Sequence, residues 1–186
     1  MFTAKNSAIL AVIIVQLVSF IQGGVYNNQD KWVLMDKTSD LPQHSVLGGI
    51  DPDGYYNYVG RAVYSSSILP ARVVPELGKA TFNTETLSNQ ATSFEVLVAN
   101  ETISYHWKRS FDGYREEDAV SVGTNSVNDR VFICRARSDS AVIIGTLILA
   151  QRSCIIKYES LPIRYHDKYE VLVREHKLAQ WMPYGV

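Results

Sequence analysis

The residue types able to do chemistry in this chain are few, and most stand in patterns that complete no known site. Asp51-Pro52-Asp53-Gly54 sets two carboxylates either side of a proline, as the start of a calcium loop would. The later carboxylates and the terminal glutamate of such a loop do not follow, so the tetrapeptide reads as a turn. His44, His106, His166 and His176 lack metal-ligand spacing, and no nucleophile–histidine–acid set can be assembled around them. Glycine-rich phosphate loops and nucleotide fingerprints are missing as well, which counts against cofactor enzymes. Cys134 and Cys154 are the only cysteines and form no CxxC. They are either a disulfide pair or two small buried core residues. The expectation is a protein that is not an enzyme and carries neither metal nor cofactor.

The elements that would position these residues are strands. Asp51–Pro75 reads as a turn at Asp53-Gly54, a strand over Tyr55–Tyr64, a second turn at Ser65-Ser66-Ser67 and a strand over Ile68–Val74. Glycine admits the positive φ that the first turn needs, and the aromatic and β-branched run suits a pleated surface. Lys79–Phe82 is a short extended run, Asn83–Thr92 a polar loop, and Phe94–Val98 a clear strand. Ala141–Ala150 is about half the length needed to span a membrane and reads as a buried strand. The best helical candidate is Arg174–Gln180, at the very end.

This arrangement occurs twice. Phe132-Ile-Cys-Arg-Ala136 falls on Tyr58-Val-Gly-Arg-Ala62 at the offset of 74 that separates Arg61 from Arg135. Tyr169-Glu-Val-Leu-Val173 repeats Phe94-Glu-Val-Leu-Val98 at 75, the spacing also of Trp32 and Trp107; Trp181 follows the second EVLV as Trp107 follows the first. A register kept over some sixty residues marks an internal repeat. The fold expected is all-β: two tandem, similar antiparallel units packed together, with strands exchanged between them as a hypothesis. The divisions are 1–23 as a leader, 24–105 as the first unit and 106–186 as the second. Arg61 and Arg135 recur, which predicts a structural role in both units, as an ion pair or a cover over apolar neighbours.

The leader reading rests on one lysine in Met1–Ser7, an apolar run over Ala8–Ile21 and small residues at Gly23 and Gly24, the pattern of a cleavable secretory signal. The apolar run is shorter than the roughly 20 residues a membrane span requires, so no stable span is expected after cleavage. A secreted, extracellular chain also makes the Asn100-Glu101-Thr102 sequon usable for N-glycosylation at Asn100. Formal net charge is −1, with 18 basic and 19 acidic residues, and no basic excess that would suit nucleic acid.

With the tryptophan starts, Gly48-Gly49-Ile50-Asp51, Tyr58–Ala62, Leu69-Pro70-Ala71-Arg72 and the two EVLV closings, the chain resembles the DM-nine repeat family, roughly from Trp32 to Val173. The resemblance implies a mostly β fold of tandem repeats, dimeric in some members. In a bivalve branch it implies mannose-binding lectins of innate immunity, holding the sugar mainly through an aspartate and a lysine. Those positions fall on Asp51 and Arg72; the second copy has Asn125 and Thr146 there. Arginine keeps the charge of lysine but differs in reach and geometry, Ala71 replaces a glycine, and the family's glycine-lysine-glutamate loop is not recognisable in Asn83–Thr92. A carboxylate, a guanidinium and the rings of Tyr55, Tyr56 and Tyr58 are the types that grip vicinal hydroxyls. The plainer reading makes Asp51 a turn former, Arg72 a solvated strand residue and the tyrosines cross-strand or core residues. The functional expectation is a glycan-binding, lectin-like protein; the alternative is a secreted structural or protein-interaction module that kept the fold and lost the sugar site.

Overall fold

The computed structural model describes residues 29–84 and 86–177. The leader expected over 1–23, and Trp181, lie outside them. Within them the chain is almost entirely antiparallel β-sheet. The first half holds β1 (Lys31–Asp36), β2 (Leu47–Ile50), β3 (Tyr56–Tyr64), β4 (Ser67–Val74), β5 (Lys79–Asn83), β6 (Ser88–Ala91) and β7 (Ser93–Val98). The second holds β8 (Ile103–Phe111), β9 (Ser121–Thr124), β10 (Arg130–Ser138), β11 (Ala141–Ile148), β12 (Ser153–Ile156), β13 (Arg164–His166) and β14 (Lys168–His176).

Every strand of the first half has a counterpart in the second, and the pairings match residue for residue. Trp32 faces Leu97 across β1 and β7, and Trp107 faces Leu172 across β8 and β14. Gly60 and Arg61 of β3 meet Val96 and Glu95, while Cys134 and Arg135 of β10 meet Val171 and Glu170. A short 3-10 turn follows β4 at Pro75–Leu77 and β11 at Leu149–Gln151, each closed by a left-handed residue, Gly78 or Arg152. Pro70 is tolerated inside β4 because its pairing with β5 begins only at Ala71.

Four expectations are corrected. No strand is exchanged among the described residues: β1 pairs with β7 and β8 with β14, inside their own halves. The division between 105 and 106 falls inside β8, and the turn at Asn100–Thr102 is where pairing changes from one half to the other. The polar run Asn83–Thr92 is not all loop, because Ser88–Ala91 pairs with β5 as β6; its polarity reflects an edge strand. Arg174–His176 is strand and not helix, since β14 keeps pairing with β8 to its end.

The halves meet at β2 and β11, where Ile50 pairs with Val142. β4 (SILPARVV) and β11 (AVIIGTLI) are buried almost throughout, because one face of each lies on its own unit and the other on its neighbour. The larger core cluster spans both halves, joining Val59, Val73 and Val96 to Val120, Val131 and Ile144. A second belongs to the second half around Phe132, Ile143, Leu147 and Tyr169, and contains the Cys134–Cys154 disulfide, whose Cα atoms are 5.9 Å apart.

Candidate functional site

Asp51 sits where β2 ends, and its carboxylate builds the turn that follows. Its Oδ1 accepts hydrogen bonds from the backbone N–H of Asp53 (3.1 Å) and Tyr55 (2.9 Å), and Gly54 supplies φ 90°. Asn125 does the same at the matching place, its Oδ1 accepting from Val127 (3.1 Å) and Asp129 (2.8 Å). The turn-forming half of Asp51 is therefore shared with its counterpart, and the charge is not. Asp51 is only 7% exposed, and its Oδ2 accepts no hydrogen bond among the described residues.

Arg72 is not a solvated strand residue. It is 3% exposed on β4, and its guanidinium reaches into the second half. Nε donates to Thr81 Oγ1 (3.2 Å), Nη1 to the Ile144 carbonyl (3.1 Å) and Nη2 to the Lys157 carbonyl (3.1 Å). The guanidinium also lies 5.5 Å from the ring centre of Tyr158. Burial lowers its pKa to about 10, against the opposing fields of Tyr158, Glu159 and Asp51, so it remains cationic at neutral pH. Thr146, at the matching place, accepts a hydrogen bond from Asn83 (3.4 Å) instead.

The two residues are thus brought into one electrostatic neighbourhood, completed by Tyr158 and Glu159. Burial, then Asp51, Glu159 and Asp53, push the Tyr158 phenol up to about 12, leaving it a neutral hydroxyl that can donate and accept. Lys79 holds Glu159 across the units at 3.0 Å. Of the tyrosines close in sequence, Tyr55 and Tyr56 are exposed beside the turn, whereas Tyr58 packs on the core.

Asn57 is the residue that sequence reasoning missed. It lies on β3 opposite Gly49, on the same strand face as Val59, the register partner of Arg72. It is fully buried, yet neither Oδ1 nor Nδ2 has a hydrogen-bond partner among the described residues. An amide buried in this way costs about 1–3 kcal/mol. The matching residue in the second half is Val131, so the fold does not require a polar group there. That mismatch at the repeat offset was the available signal.

Arg61 and Arg135 are structural in both halves, as their recurrence predicts. Arg61 Nε pairs with Glu95 at 2.6 Å and its guanidinium lies over Trp32 at 4.5 Å; Arg135 pairs with Glu170 at 2.7 Å over Trp107 at 4.3 Å. Each also crosses the interface, Arg61 to the Val122 carbonyl (3.4 Å) and Arg135 to the Gly48 carbonyl (2.8 Å). Asn100 occupies the turn between the halves, its Oδ1 accepting from Thr102 and Ile103.

No group of three histidine, cysteine or acidic side chains placed to hold a metal is present among the described residues, and no helix there is long and apolar enough to cross a membrane. The sequence profile of the DM9 repeat matches residues 51–165. Sequence comparison with curated proteins gives no match. Among solved structures, the nematode sperm cell motility protein MFP2B is similar with a TM-score of 0.64 at 15% identity, over 83% of this chain and 48% of that one. The present chain therefore spans about half the length of MFP2B, and the likeness is one of fold.

Proposed function

The chain belongs to the DM9 repeat family, and on that premise we propose that it is a secreted, non-enzymatic recognition protein that binds glycans, mannose-type sugars included, at the Asp51 corner of its first unit. The observation that carries this reading is the Asp51 carboxylate, whose Oδ2 is left without a hydrogen bond among the described residues at the turn closing the β2–β3 hairpin; the buried amide of Asn57 lies in the same hairpin. Vicinal hydroxyls are satisfied by such acceptor and amide groups, and a buried amide without a partner is the state expected of a group kept for a ligand or a water. Arg72 enters as a positioning residue. Its nitrogens serve protein acceptors, and its charge anchors the Lys157–Glu159 segment beside Asp51. The leader pattern, the disulfide and the sequon support secretion.

A second reading has the chain as a structural or protein-interaction module. Its support is the burial of Arg72, which leaves the guanidinium with little freedom to meet a ligand. A glycan array, followed by titration of Asp51→Asn, separates the two. Asparagine preserves the turn, as Asn125 shows, and removes only the charge. Sugar binding weakened at least tenfold at unchanged stability supports the first reading. An array with no ligand leaves the second.

A further inference from the structure

The turn that ends β8 carries two aromatic rings that the fold leaves in water. Phe111 is 61% exposed and Tyr114 55%, and their ring centres lie 6.4 Å apart. Positive φ at Asp112 (48°) and Gly113 (80°) shapes the turn between them. The Tyr114 N–H donates to the Phe111 carbonyl (2.8 Å), and the hydroxyl of buried Tyr169 donates to the Tyr114 carbonyl (2.9 Å). The ridge is therefore held outward by a fixed backbone.

Cations surround it. Phe111 stands opposite Lys168 and Arg109 opposite Glu170, so these four side chains share one face of the β8–β14 pair. Arg135 meets Glu170 on that face, and Arg137 follows two residues on along β10. Arg152 reaches the turn itself, its Nε donating to the Asp112 carbonyl (3.3 Å). Arg109, Arg137, Arg152 and Lys168 are all exposed. Arg135 takes Glu170 (2.7 Å) and Arg164 takes Asp139 (3.1 Å), which leaves those four without an ion pair among the described residues.

The first unit has the matching turn without either feature. Leu34, Val63, Gly78 and Ser93 stand at the four basic places, and Asp36 and Ser39 at the two aromatic ones. Asp36 Oδ1 there accepts from the Thr38 N–H (2.8 Å) and the Ser39 hydroxyl (2.9 Å), so the turn satisfies its own polar groups. In the second unit four cations face two carboxylates, Asp112 and Asp167, whereas Asp36 and Lys37 cancel at the matching end of the first. The fold thus requires neither the rings nor the charge.

We propose that this end of the second unit docks on an anionic lipid surface, with Phe111 and Tyr114 at headgroup level and the four cations against the lipid anions. The two features together choose this partner. A soluble polyanion would use the cations alone and leave the rings in water, and an apolar protein surface would leave the cations unmet. A membrane interface takes both: rings settle among the headgroups, and each basic residue strengthens attachment about fivefold.

The test is co-sedimentation of the protein with vesicles of phosphatidylcholine alone and of phosphatidylcholine and phosphatidylserine in equal parts, at low and high salt. Comparison is with Arg137→Val/Lys168→Ser, which installs the first unit's residues, and with Phe111→Ser/Tyr114→Ser, which removes the rings and adds no charge. All four side chains are exposed, so both variants are expected to keep the parent's melting temperature. Ala8–Ile21 is common to every variant, so the readout is the difference between them. The proposal expects a preference for the phosphatidylserine vesicles that fades with salt and weakens about 25-fold in the charge variant. It also expects weaker binding by the aromatic variant, and no change in Asp51→Asn. Equal affinity for the two kinds of vesicle, or no binding to either, overturns it. Loss in the charge variant with full binding by the aromatic one overturns the lipid assignment and marks a plain polyanion surface instead.

Discussion

At Asp51 one side chain builds the fold and still holds a group that the fold does not use. One oxygen is committed to a turn that Asn125 builds equally well; the negative charge and the other oxygen are what the second unit lacks. Asn57 presents the complementary case, a polar residue where its counterpart is Val131. We expect Asn57→Val to stabilise the protein by about 1–3 kcal/mol, the cost of the unsatisfied amide, while lowering sugar affinity. Chemical denaturation alongside a glycan titration checks this; a loss of stability would show the amide to be satisfied by water. His166 yields a pH prediction. Burial, with Arg164 beside it, holds its pKa below the ordinary 6.5, and Asp167 opposes them only partly. The unfolded chain therefore takes up a proton before the folded one does, so stability falls as pH drops below about 6.5. Substituting the first unit's residue, His166→Ala, removes that part of the slope, which melting curves between pH 7 and pH 5 would show.

At the scale of elements, the strand frame was legible and the edges were not. The aromatic and β-branched runs in Tyr55–Tyr64 and Phe94–Val98 mark strands because such side chains fit a pleated, half-buried surface. Ser88–Ala91 could not be read as β6, since an edge strand has no buried stripe to announce it. Arg174 misled in a different way. It sits inside β14 because a buried ion pair with Asp30, at 2.6 Å, holds it there with help from the Tyr105 hydroxyl, a contact across 144 residues that no local pattern carries. The close crossing of the units is likewise visible only in three dimensions. A Cβ on Gly49 would stand 2.1 Å from the Val142 carbonyl oxygen, a backbone atom that cannot turn aside. Gly49→Ala is expected to destabilise by about 1–3 kcal/mol, the range for overpacking, measured by the shift in denaturation midpoint. The Cys134–Cys154 bridge spans β10 and β12, where the first unit has Gly60 and Ala80. Replacing both cysteines with alanine should cost about 3 kcal/mol in the chain-entropy account. A smaller loss would mean that packing already does most of that work.

For the molecule as a whole, the internal offset was the most informative feature of the sequence, because it predicted that Arg61 and Arg135 hold equivalent places. The structure adds that each arginine bonds the backbone of the opposite unit. Stability should therefore be shared across the interface. Arg61→Ala or Arg135→Ala is expected to cost about 2 kcal/mol, from a charge-assisted bond and a stacked cation, while leaving one cooperative transition. Two separate transitions would show the units to be independent. What the offset could not reveal is which differences between the units matter, since Arg72 and Thr146 differ as much as Asp51 and Asn125 yet Arg72 is buried in the joint. The most direct measurement is titration of a mannose-type glycan into the protein and into Asp51→Asn, with melting temperatures recorded for both. A glycan-binding Asp51 corner predicts saturable binding that weakens at least tenfold in the variant at the same melting temperature. Equal affinity in the two proteins, or no binding by either, contradicts it.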